Sequence, residues 1–276
     1  LHAVEHFRKG TASELFAEFD DPDKLDGADI KRIEEIIRPC GLYKAKANSI
    51  KSRLFSPSDI QSIMKKAMVE RMKQAYHLTW FPETGASYPL RVSLYKDRVT
   101  VGLDASGESL HKRGYRKLTA KAPITETLAA ALLMLTPWSG DRILVDPFCG
   151  SGTIPIEAAL IAKNRAPGLD RGFTAQSWKS IPRRVWEDER EAARSREFHG
   201  DYRIVGADID PKAVSIAQEN AQRAGVDDVV RFEVADAMAF DRTTERGVIV
   251  TNPPYGERIM EKQEAETLYR GFGKAL

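Results

Sequence analysis

The chain has 276 residues, 42% hydrophobic and 30% charged, a globular composition with length for about two domains at roughly 150 residues each. Its longest apolar run, Leu128 to Leu135, falls far short of the ~20 residues of a membrane helix. Two cysteines, Cys40 and Cys149, exclude a disulfide framework and a four-ligand zinc site, so a reducing, cytoplasmic setting and no metal are expected.

The start, Leu1-His2-Ala3-Val4, has neither an initiator Met nor a signal peptide's charged and apolar regions. Net charge is only +2, but it is unevenly spread: Glu14 to Glu35 holds nine acids against three bases, and Lys44 to Lys73 eight bases against two acids. A further basic run, Lys112, Arg113, Arg116, Lys117 and Lys121, contains no acid. Such asymmetry fits a polyanion-binding middle section or the solvated faces of ordinary helices.

Residues 1–50 read as short helices. Thr11 to Glu14 gives a capping pattern, Asp29 caps Ile30 to Ile37, Pro39-Cys40-Gly41 ends that helix, and Tyr43 to Ile50 begins another. Ser56-Pro57 opens a helix to about Tyr76 with Ile60, Ile63, Met64, Ala67 and Met68 as its stripe. The period then becomes two. Leu90, Val92 and Leu94 alternate, as do Val99, Val101 and Leu103, and Lys96-Asp97 between them makes a hairpin.

From Lys121 the chain alternates helix and strand. Helix Ile124 to Leu135, strand Arg142 to Val145, helix Ile154 to Ala162, strand Arg203 to Ala207, helix Pro211 to Ala224, and strands Val229 to Val234 and Val248 to Thr251 follow in order. A charged, Trp-containing excursion runs from Asn164 to Asp201, and a last helix starts near Glu264. This alternation predicts a parallel doubly wound sheet with ligands at the strand C-termini.

Four such strand ends carry candidate chemistry. Asp146-Pro147-Phe148-Cys149-Gly150-Ser151-Gly152 is a glycine turn into a helix, matching neither the dinucleotide fingerprint nor the phosphate loop. Its acid, Asp146, suits a cationic group such as an ammonium. Asp208, ending the next strand, is placed to hold ribose hydroxyls, while Asp210 before Pro211 reads as a helix N-cap. Asp236 with Ala237 either accepts from an adenine amine or is turn chemistry. In Asn252-Pro253-Pro254-Tyr255, a carboxamide, a rigid carbonyl and an aromatic ring suit a planar base with an NH2 group.

In this order the segment from about Ala120 resembles a class I S-adenosylmethionine-dependent methyltransferase with the Asn-Pro-Pro-Tyr signature of amino-group methylation. Leu103 to Gly107 and Leu110 to Arg116 resemble the junction of THUMP-domain RNA methyltransferases, whose bacterial members include guanine-N2 methyltransferases of large-subunit (23S) ribosomal RNA. The resemblance covers about Asn48 to Leu276. It implies an incomplete Rossmann-like α/β sheet preceded by a partial α+β THUMP module. It also implies S-adenosyl-L-methionine as cofactor, RNA as partner and cytoplasmic localisation. Asp146, Phe148, Gly150 and Gly152 would line the methionine end, with Glu126 and Thr127 at the cofactor's carboxylate end. Asp208 would bind ribose, Asp236 and Ala237 adenine, and Asn252, Pro253, Pro254 and Tyr255 the target base. Lys112, Arg113, Arg116 and Lys117 would meet RNA phosphates.

Asp29 to Ile50 is instead similar to a helical stretch of endonuclease III-type DNA glycosylases, without that family's catalytic Lys, catalytic Asp or iron–sulfur cysteines. The expected division is therefore a helical segment over 1–50, a THUMP-type module over 51–118 and a methyltransferase domain over 119–276. Only four of the usual seven strands are legible, which leads to an expectation of weak or no activity for this chain. Alternatives with the same signature are transfer-RNA guanine-N2 or DNA adenine-N6 methylation, and a non-catalytic nucleic-acid-binding module.

Overall fold

A computed structural model describes residues 46–81, 85–116, 123–241, 246–255 and 262–276. The helices expected between residues 1 and 45, with Cys40, lie outside them, as does Lys117. The described residues fall into two compact units, one within residues 46–108 with 173–189, the other within 109–172 with 190–276.

In the first unit, β1 (Lys46–Ile50), β2 (Leu90–Tyr95) and β3 (Arg98–Leu103) form a sheet in that order, β1 parallel to β2 and β2 antiparallel to β3. The helix expected from Tyr43 to Ile50 is corrected here. Lys-Ala-Asn-Ser-Ile has no strand-like composition, and pairing along Leu90–Tyr95 decides its conformation. Helix α1 (Pro57–Tyr76) starts at Ser56, whose side chain accepts from the Asp59 N–H. It lays Ile60 and Met64 on Val92, Leu94 and Ala47. Lys96 and Asp97 turn the hairpin, both at positive φ (49° and 61°), the backbone twist that two-residue hairpins require.

The charged excursion supplies this unit's other core. Trp178 stacks on Tyr88 at 5.0 Å and donates from its indole to the Ser87 carbonyl at 2.8 Å. A 3-10 turn, Thr174–Ser177, hydrogen-bonds through the Ala175 N–H to the Ala105 carbonyl at 3.1 Å.

In the second unit, α2 (Glu126–Met134) precedes β4 (Ile143–Asp146) and α3 (Thr153–Ala162); after α4 (Arg183–Arg194), whose residues up to Glu189 belong to the first unit, come β5 (Ile204–Asp208), α5 (Pro211–Ala224), β6 (Val230–Val234), β7 (Gly247–Ile249) and α6 (Lys262–Ala275). The four strands are parallel in the order β6-β5-β4-β7. The chain winds one way from β4 through β6, then returns to place β7 on the other side of β4, which makes a switch point at the strand C-termini. Leu144, Ile154, Ile156, Ile204 and Phe232 form the core between sheet and helices. Among the described residues no helix is long and apolar enough to cross a membrane.

Candidate active site

The site is built on the C-terminal ends of β4, β5, β6 and β7. Asp146 ends β4 and is 1% exposed. Its Oδ1 accepts from the Thr251 hydroxyl at 2.6 Å and from the Phe148 N–H at 3.2 Å. Burial, reinforced by the charge of Asp208, lifts its carboxyl to about 7 against the pull of those two donors. Since Thr251 directly precedes Asn252, this bond ties the loop after β7 to the end of β4.

The glycine turn folds onto β5. Gly150 donates to Asp208 Oδ2 at 2.9 Å, Cys149 donates to the Ala207 carbonyl at 2.8 Å, and Asp208 Oδ1 accepts from the Asp210 N–H at 3.0 Å. Gly150 and Gly152 both have positive φ, for different reasons. A Cβ on Gly150 meets nothing within 4 Å, so its backbone faces open space. A Cβ on Gly152 would lie 2.9 Å from Ala217 Cβ and 3.0 Å from Phe232 Cζ. That glycine is required by packing against α5 and β6. Cys149 is buried, and burial pushes its thiol far up, as fits a small turn residue and not a nucleophile.

Asp208 is half-buried with both oxygens already oriented by backbone N–H groups, and Ile209 beside it is 69% exposed. Asp210 caps α5 by accepting from the Lys212 N–H at 2.9 Å. Asp236 accepts from the Met238 N–H at 2.9 Å and so caps a 3-10 turn over Ala237–Ala239, with Ala237 buried. After β7, Asn252, Pro253 and Pro254 are half-buried and Tyr255 is exposed.

Two contributors come from α6 and have no motif to announce them. The Tyr269 hydroxyl donates to the Pro254 carbonyl at 2.7 Å. Phe272 meets the Phe148 ring edge-on at 5.4 Å and Phe240 at 6.1 Å. Their signal in the sequence was helical spacing alone, which does not say which face meets the site.

The basic run before α2 turns inward, which corrects the expectation that Arg113 and Arg116 meet phosphates. Arg113 pairs with Glu157 at 3.4 Å and Arg116 with Glu126 at 3.4 Å, each guanidinium side chain only 13% exposed. Tyr115 donates to Glu157 at 3.1 Å. Two glutamates buried on α2 and α3 need counter-charges, and these arginines supply them. Lys112 is exposed. Glu126 is buried and Thr127 is exposed. Among the described residues no cluster of His, Cys, Asp or Glu could hold a metal ion.

This arrangement is a parallel α/β domain with a glycine turn after β4 and an Asn-Pro-Pro-Tyr loop after β7. Residues 113–276 match the RMKL-like methyltransferase domain and residues 33–104 the THUMP domain. The chain belongs to the RMKL-like methyltransferase-domain family and carries a THUMP domain ahead of it. It is 47% identical over 239 residues to the RNA methyltransferase candidate YpsC of Bacillus subtilis, covering 86% of this chain and 62% of that protein. It is 42% identical over 194 residues to the ribosomal RNA large subunit methyltransferase K/L of Vibrio parahaemolyticus, covering 68% of this chain and 27% of that protein. Among solved structures, a Listeria monocytogenes protein described as a predicted N6-adenine-specific DNA methylase superposes with TM-score 0.81 at 44% identity, over 87% of this chain and 64% of that one. SMU.472, a methyltransferase candidate solved with SAH, superposes with TM-score 0.75 at 37% identity, over 86% of this chain and 62% of that one.

Proposed function

We propose that the protein transfers a methyl group from S-adenosyl-L-methionine to the exocyclic N2 amine of a guanine in RNA, with large-subunit ribosomal RNA as the substrate. The observation that carries this reading is the 2.6 Å bond from Thr251 to Asp146, which couples the loop that would hold the base to the turn that would hold the donor. The residues fit the donor. Backbone at Gly150 is open to a ligand, Asp208 presents an oriented carboxylate for ribose hydroxyls, and Ile209 offers an exposed apolar side chain beside it. Asp146 Oδ2 makes no hydrogen bond among the described residues and can take an ammonium.

When bound, S-adenosylmethionine supplies an electrophilic methyl on its sulfonium. The protein's part is positioning and electrostatic preorganisation. The Asn252 carboxamide oxygen and the Pro253 carbonyl accept the two amine hydrogens, which draws the nitrogen toward tetrahedral geometry and frees its lone pair. Pro253 and Pro254 fix their own φ, and the Tyr269 bond to the Pro254 carbonyl fixes the next peptide plane. Tyr255 then stacks on the base. The target must be unpaired or flipped out to enter, and its proton leaves to solvent. The THUMP match, and relatives named for RNA methylation, support RNA.

Asn252→Ala should abolish methyl transfer while leaving S-adenosylmethionine affinity within about twofold, and an equal loss of both would overturn the base-holding role. Asp208→Ala should weaken donor binding instead. The neighbour described as a DNA methylase favours adenine N6 as the second reading, and transfer to an adenine-containing DNA duplex but not to ribosomal RNA would establish it.

A further inference from the structure

Arg116 Nη2 donates to the Thr153 hydroxyl and to the Ile124 carbonyl, both at 2.8 Å, while its Nε lies 3.4 Å from Glu126 Oε1. Thr153 is the first residue of α3, directly after Gly152. The guanidinium is thus held at a helix N-terminus, and two sources of positive potential meet there, the fixed cation and the helix dipole. Its Nη1 donors make no hydrogen bond among the described residues. The other charged groups around the turn and the adjoining strand ends, Asp146, Asp208 and Asp236, are all acids.

Glu126 explains why the cation stays. Its side chain is 4% exposed, its Oε2 is buried without a hydrogen-bond partner, and Arg116 is the counter-charge it touches. A buried carboxylate with one cationic partner holds that partner tightly, because separating them leaves a charge uncompensated. Glu126 is itself an anion and repels a ligand carboxylate. The expectation that Glu126 meets the donor's carboxylate end therefore passes to the arginine it anchors.

We propose that Arg116 binds the α-carboxylate of the methyl donor's amino-acid end through its Nη1 donors, with Glu126 as the positioning residue that fixes the guanidinium. This rests on the donor assignment above. It divides the ligand's charges: the acids take its cationic and hydroxyl groups, and Arg116 takes its one anion.

The test compares equilibrium binding of S-adenosylhomocysteine with that of 5′-methylthioadenosine, which shares the adenosine and thioether but lacks the amino-acid end. The full chain is used as wild type, Arg116→Lys, and the double variant Arg116→Met with Glu126→Gln, which removes both buried charges together. A charge-assisted contact to carboxylate predicts about 10- to 100-fold weaker S-adenosylhomocysteine binding in the double variant, and a smaller loss in Arg116→Lys. Methylthioadenosine affinity should stay unchanged in both. Equal weakening of the two ligands would mean that Arg116 only supports the turn, and unchanged S-adenosylhomocysteine affinity would remove it from the site; either overturns the proposal. Binding of neither ligand by the wild-type chain overturns the donor assignment itself, a result separable from the other two.

Discussion

Replacing Asp146 by Asn should change how stability depends on pH. The wild-type carboxyl titrates at about 7 in the folded protein, against 3.8 for the free side chain, because burial penalises its charged form and Asp208 adds repulsion. Between these two values the folded chain keeps a proton that the unfolded chain has released. The unfolded state therefore binds fewer protons, and stability falls as pH rises from about 4 to 7, then levels off. A shift of about three units at ~1.4 kcal/mol per unit gives a loss on the order of 4 kcal/mol across the window. The Asp146→Asn variant would carry no such titration, and its carboxamide oxygen can still accept from the Thr251 hydroxyl and the Phe148 N–H.

The measurement is urea unfolding of both proteins at several pH values between 4.5 and 8, followed by tryptophan fluorescence. Groups that titrate elsewhere contribute equally to the two proteins, so the difference isolates position 146. The Asn variant should gain on the wild type by several kcal/mol as pH rises through this range, and the gain should saturate above pH 7.5. A flat difference, or one of opposite sign, would mean that Asp146 is ionised throughout. The carboxylate would then be solvated or paired in a way its 1% exposure contradicts.

Other outcomes follow from single contacts. Gly152→Ala should cost about 2–4 kcal/mol in thermal or chemical unfolding, because its Cβ meets Ala217 and Phe232 in a left-handed backbone. Gly150→Ala, open to solvent, should cost about 1 kcal/mol by the same measurement. Tyr269→Phe should lower kcat for methyl transfer about tenfold with donor affinity unchanged, since only the hydroxyl that holds the Pro254 carbonyl is lost. Trp178→Ala should destabilise the first unit by about 3–5 kcal/mol, read from the unfolding of a fluorescent label on that unit, although residue 178 lies far along the chain from Tyr88. Lys112→Glu should reduce the salt dependence of RNA affinity by about one unit of slope, whereas Arg113→Glu should unfold the second unit by setting a carboxylate against buried Glu157.

Sequence periodicity carried most of the second unit. Pro211 to Ala224 runs from an Asp cap to a Gly stop, so both ends are written locally. The four parallel strands are short apolar runs, but the placing of β7 beside β4, and not beside β6 which it follows in the chain, comes from pairing that no local signal announces. The strand Lys46–Ile50 was not legible, because nothing in Lys-Ala-Asn-Ser-Ile separates it from a helix start; its identity comes from a partner more than forty residues away. The place of the excursion was hidden for the same reason. Trp178 and Trp186 read as aromatic residues in a charged stretch, and only the stacking of Trp178 on Tyr88 and of Trp186 on Phe173 shows that they are core.

The arginines mark a deeper limit of charge counting. A run such as His111-Lys112-Arg113-Gly114-Tyr115-Arg116 looks cationic because its counter-charges, Glu126 and Glu157, sit 10 and 44 residues away and inside apolar helices. Glu157 in particular lies within Ile-Pro-Ile-Glu-Ala-Ala-Leu, where an acid is legible as buried. A buried acid requires a cation or a proton. Two buried acids on apolar helices call for two cations, and the structure takes Arg113 and Arg116 out of the field that attracts a polyanion to supply them. One of the two is anchored at the first residue of the helix that follows the glycine turn. The same charge pattern that reads as a nucleic-acid surface is then half a binding site for a small ligand's carboxylate, and the deciding variable is whether the opposing acids face water or the core.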